Sequence, residues 1–85
     1  MGAGRIADRV MKFDVELDAR QLACPLPILR AKKSLSQMTS GQIIRIVATD
    51  NGSPKDFEVF CRQTGNELLS STAHDGEFIF YLRRR

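Results

Sequence analysis

FDVELDARQLACPLPILRAKKSLSQM, residues 13–38, sets two periodicities back to back. Phe13, Val15 and Leu17 alternate with Asp14, Glu16 and Asp18, the two-residue period of a half-buried strand. Beyond Pro25, Ile28, Ala31, Leu35 and Met38 recur at helical spacing, while Arg30, Lys33, Ser34 and Gln37 fall on the opposite face. A strand that feeds an amphipathic helix through a short connection is the first half of a βα unit, and the switch is made at Cys24-Pro25-Leu26-Pro27. Pro25 is predicted at the first helical position, where its missing N–H would have had no intrahelical partner, and Pro27 in the same turn. Gly41 is expected to stop the helix.

The rest of the chain extends this pattern. Residues 43–48 form an apolar run of strand length. Ser53-Pro54-Lys55-Asp56 reads as an N-cap, a first-turn proline and an acidic residue opening a second helix, with Phe57, Phe60, Cys61 and Thr64 inward and Gly65 closing it. Residues 68–72 and 78–82 flank Asp75-Gly76, a hairpin signal in which glycine supplies positive φ. The order is β-α-β-α-β-β. Both helices bury one stripe if they share a side, giving an α/β two-layer sandwich with two helices on one face of a four-stranded mixed sheet. A right-handed first crossover makes the first two strands parallel and leaves the last hairpin antiparallel. Eighty-five residues at 42% hydrophobic content supply one small core. Residues 1–10 read as a disordered N-terminal extension and residues 11–85 as a single domain, since Met11 can itself begin it.

Cys24 has the distinctive neighbourhood. A helix start carries roughly +0.5 elementary charge, which favours thiolate over thiol and lowers a cysteine pKa from ~8.5 towards ~3.5–7.5. Arg30, Lys32 and Lys33 act in the same sense, while two first-turn prolines remove amide donors, so a moderate depression is expected. The plain alternative is a small apolar capping residue without chemistry. Asp18 is placed to fix the strand-to-helix connection through its carboxylate, and the usual role of Arg30, Lys32 and Lys33 is a solvated helix face that also offers an acidic partner a docking surface. Cys61, on the stripe of Phe57 and Phe60, reads as a buried core residue. His74 reads as an exposed turn residue.

Composition excludes several classes. Two cysteines outside any C-x-x-C pair and one histidine provide no protein-only metal site, and no cofactor motif is present. No run of 18 apolar residues exists, and residues 1–11 lack the apolar stretch of a signal peptide, so a cytoplasmic chain with no membrane contact, and a monomer, is expected. The net charge of +3 equals the contribution of Arg83, Arg84 and Arg85. A charged tail is usually solvated, which argues against direct nucleic-acid binding.

Leu17-Asp18, Leu22, Cys24, Pro25 and Pro27, followed by Gly41, Asp50, Phe60-Cys61 and Gly65-Asn66-Glu67-Leu68, resemble the TusA/SirA family of small sulfur-carrier proteins over about residues 16–83. The resemblance implies the same sandwich and a persulfide carried on the cysteine of the Cys-Pro-x-Pro motif, which maps onto Cys24. It also implies a cysteine desulfurase or rhodanese as donor and a downstream sulfur-acceptor protein. Two positions depart from the pattern. Leu26 stands where members serving tRNA thiolation commonly have an acidic residue; Gln21 stands where a glycine usually occurs, and so is expected at ordinary negative φ.

Two functions of different class follow. A sulfur carrier or sulfurtransferase needs one exposed nucleophile and a docking surface rather than a triad. Acceptors in tRNA thiolation, molybdenum-cofactor maturation and sulfur oxidation all fit that chemistry. The alternative is a non-enzymatic RNA-binding or regulatory module presenting aromatics of the last strand. The period places Phe78 and Phe80 on the core face with Leu82, leaving Tyr81 on the other.

Overall fold

The computed structural model describes residues 11–85; the extension expected over residues 1–10 lies outside them. The elements follow the order expected: β1 (Val15–Ala19), α1 (Leu26–Ser36), β2 (Ile43–Ala48), α2 (Ser53–Thr64), β3 (Glu67–His74) and β4 (Glu77–Arg83). The sheet order is β1-β2-β4-β3. β1 and β2 are parallel with Ala19 opposite Ala48, and β4 is antiparallel to both β2 and β3. Asp75 and Gly76 turn the β3–β4 hairpin at φ 52° and 80°, the two positive dihedrals that match strand twist.

One core lies between the sheet and both helices. Ala31 and Leu35 of α1 and Phe57, Phe60 and Cys61 of α2 pack on Ile44, Ile46, Phe80 and Leu82. Phe57 and Phe80 stack with centroids 4.7 Å apart. The other face of the sheet is closed in its middle by Tyr81, whose hydroxyl accepts from Arg45 Nε at 3.1 Å. Phe13 was expected in line with Val15 and Leu17. It instead precedes the strand and lies 6.3 Å from the Tyr81 ring, on the face away from the helices.

The helix ends differ from those expected. α1 stops at Ser36, short of Gly41, because Gln37 and Met38 donate to Ser34 O and Leu35 O, tightening the last turn. Gly41, at φ 91°, then makes a separate turn in which Gln42 N–H donates to Thr39 O. α2 is capped by Gly52, not Ser53; Asp50 Oδ2 already accepts the Gly52 N–H at 3.0 Å, and Ser53 turns into the core. At the far ends, Arg84 Nε donates to Leu35 O at 2.7 Å and Arg85 Nη1 to Thr64 O at 2.8 Å. Two cations thus satisfy carbonyls that a helix C-terminus leaves open.

Candidate functional site

Parallel pairing of β1 and β2 sends both strand-to-helix connections off the same edge of the sheet. Cys24 lies in the first connection and is exposed. Pro25 is not the first helical residue but the N-cap, joined to Cys24 by a cis peptide bond, and Pro27 is buried in the first turn. Cys24 therefore precedes the cap. The Leu26 N–H is spent on Ala23 O at 2.8 Å, and Pro27 has none. The first turn thus has few donors left for an anion.

The connection is shaped by residues on either side. Asp18 Oδ1 accepts the Arg20 N–H at 3.1 Å, and Arg20 Nε reaches Glu77 at 3.1 Å. Gln21 departs from the ordinary backbone expected of it: its φ is 64°. It is the third residue of a turn closed by Leu22 N–H on Ala19 O at 3.4 Å, a position that takes left-handed geometry, and its own N–H is held by Thr49 Oγ1 at 2.8 Å. The turn therefore holds a glutamine in the left-handed conformation that glycine adopts most readily.

The electrostatics of Cys24 reverse the expectation. Its thiol is pushed above the ordinary value, first by the side chain of Asp56, then by desolvation and the charges of Asp56 and Asp50. Arg30, Lys32 and Lys33 are not among the groups acting on it. Lys32 instead lines a cleft of about 380 Å³ with Phe60, Asn66 and Arg84, at the opposite end of the helices. In the sequence Asp56 reads as helix initiation alone; the βαβα order, which brings two helix starts to one edge, is the signal that links it to Cys24.

Beside Cys24, Leu26 is 43% and Leu29 51% exposed, an apolar pair on the surface of α1. Leu29 was not singled out in the sequence. Leu26, Leu29, Arg30 and Lys33 share one helical stripe by spacing. The hairpin turn with His74 and Asp75 stands at the same edge of the sheet as Cys24, which the order of elements alone did not require; His74 Nε2 lies 3.2 Å from Asp75. Cys61 is buried, with its thiol raised to about 11 by desolvation. Tyr81 is only 6% exposed, so it offers no stacking face to a nucleobase.

A family model described as Sulfurtransferase TusA matches residues 15–84. The sulfur carrier protein TusA of Allochromatium vinosum is 57% identical over 72 residues, covering 85% of this chain and 95% of its own. A putative sulfur carrier protein of Neisseria meningitidis is 52% identical over 69 residues, covering 81% and 93%. Among solved structures, a SirA-like protein from Desulfitobacterium hafniense has a similar fold, with a TM-score of 0.74 at 21% identity over 82% of this chain and 96% of that one.

Proposed function

The chain belongs to the TusA family of sulfur carriers, and from that premise we propose that Cys24 is the residue that holds the sulfur, as a persulfide relayed from a donor protein to an acceptor protein. The observation that carries this reading is the exposure of Cys24 beside two exposed leucines at the start of α1. Cys61, the other thiol, is enclosed by the core.

In loading, Cys24 sulfur attacks the terminal sulfur of a donor persulfide, such as that of a cysteine desulfurase or rhodanese. The donor S–S bond breaks with its electron pair leaving on the donor thiolate, and the Cys24 proton passes to that thiolate. Unloading repeats the exchange with an acceptor thiol. Asp18, by closing the connection, and Pro25 and Pro27, by starting the helix, support the position of Cys24. Leu26 with Arg30 and Lys33 gives partners an apolar contact edged by positive charge, and Lys32 extends that charge towards the far cleft. No helix among the described residues is long and apolar enough to cross a membrane. The cytoplasm, where thiols are kept reduced, is the compartment we assign, with residues 11–85 as one domain.

Incubation with a cysteine desulfurase and cysteine is expected to add one sulfur, a gain of roughly 32 Da that reductant removes. Cys24→Ser is expected to show no gain and Cys61→Ala to retain it. Failure to load from either a desulfurase or a rhodanese, while Cys24 still reacts with an alkylating reagent, would overturn the reading.

A further inference from the structure

The connection that carries Cys24 is held to the rest of the fold just before the cysteine. Ala19 and Ala48, paired at the ends of β1 and β2, are both fully buried, so the two strands run out together and Thr49 follows Ala48 where the first connection leaves the sheet. There the Gln21 N–H donates to Thr49 Oγ1 at 2.8 Å. Gln21 stands at φ 64°, a conformation that its Cβ disfavours. The bond that closes its turn, from Leu22 N–H to Ala19 O, is 3.4 Å long, beyond the usual range for N–H···O. The turn's own closure is therefore weak, and a bond from outside it must hold the dihedral. Among the described residues, the other polar tie from this turn to a different element is Arg20 to Glu77, whose side chains are 48% and 39% exposed. An exposed ion pair adds little, and Asp18 binds Arg20 only to its own strand.

We propose that Thr49 is a positioning residue for sulfur transfer, acting through Gln21: its hydroxyl oxygen pins the left-handed turn from which the chain runs to Cys24. The inference rests on the proposed carrier role of Cys24. Cys24 lies three residues beyond Gln21, and Leu22, between them, packs against the core, so the turn sets where the cysteine emerges beside α1. Transfer requires Cys24 Sγ to meet the terminal sulfur of the donor in a set geometry, and a displacement of about 1 Å can cost about 100-fold. A small reagent diffuses to the sulfur wherever it stands, whereas a donor protein, docked by its own surface, presents its sulfur at one place. Thr49 thus acts on exchange between proteins and leaves the reactivity of the thiol itself alone.

Thr49→Val removes the acceptor at nearly constant shape. Single-turnover transfer from a persulfide-charged cysteine desulfurase, followed by mass, gives a maximal rate and a half-saturating carrier concentration. The maximal rate is expected to fall about threefold or more with little change in half-saturation, and iodoacetamide alkylation of Cys24 to stay within about twofold of the parent's. Thr49→Ser, which keeps the hydroxyl, is expected to restore the rate. In a Gln21→Gly background, where positive φ carries no steric penalty, Thr49→Val is expected to cost less. Should Thr49→Val not fold by circular dichroism, Thr49→Ala takes the same test. An unchanged maximal rate in a folded variant, a loss that serine does not recover, or an equal loss in both backgrounds overturns the assignment. If the parent itself takes no sulfur from any donor protein, the carrier reading fails. Hydrogen exchange of the Gln21 amide, expected to quicken about threefold or more in Thr49→Val, then still tests the hold of Thr49 on the turn, and unchanged exchange overturns it.

Discussion

Cys24 and Cys61 are the same group in opposite surroundings, and each should titrate by its own rule. Burial raises Cys61 to about 11 because the core solvates a thiolate poorly. In the unfolded chain the same thiol ionises near ~8.5. The folded state therefore binds the proton more tightly. The stability this contributes is complete below about pH 8.5 and is lost as pH rises towards 11, with a slope of at most about 1.4 kcal/mol per pH unit. Urea unfolding at pH 7.5 and pH 10 is expected to show that loss in the parent and less of it in Cys61→Ala, and native labelling at pH 8 is expected to stop at Cys24. The burial of Cys61 was legible because it shares a stripe with Phe57 and Phe60. The direction of the Cys24 shift was not: its local sequence shows prolines and downstream cations, while the groups that act on it, Asp56 and Asp50, arrive through the parallel pairing of distant strands.

At the scale of elements, periodicity identified the middle of every helix and strand, and local hydrogen bonding decided the ends. Pro25 and Gly52 are the caps where the sequence points to Cys24 and Ser53, each with near-helical dihedrals and without a side-chain cap bond. Gly65 is the end that was read correctly. Its φ of 85° is left-handed, and its N–H donates to Cys61 O at 2.9 Å, the αL cap that glycine supplies best. A Cβ there would meet Arg85 Cδ at 2.7 Å, so that side chain must swing aside and give up its bond to Thr64 O. The cost of Gly65→Ala is then about 1–2 kcal/mol of conformational strain, with the lost contact added to it. A lower urea midpoint at unchanged slope is the expected result; an unchanged midpoint would mean that the helix end relaxes without cost.

Over the whole molecule, charge is divided between two ends. The edge that carries Cys24 also carries Asp50, Asp56, Asp75 and Glu77, against Arg20, Lys55 and His74, whereas the opposite end gathers Lys32, Arg84 and Arg85 around one cleft. The net charge of +3 is thus a poor description of what a reagent meets at the sulfur. Fields of this kind reach about 30 Å at 0.01 M salt but only about 10 Å at 0.1 M. Reaction with iodoacetate, an anion, should therefore be slow relative to neutral iodoacetamide at low salt, when each rate is referred to a free thiol. That ratio should rise as salt is added, and Asp56→Asn should flatten the salt dependence. A ratio that starts high and falls with salt would show the basic end controlling the approach. In that case charge would draw anionic groups to the sulfur, and the acidic side chains at that edge would not govern the approach.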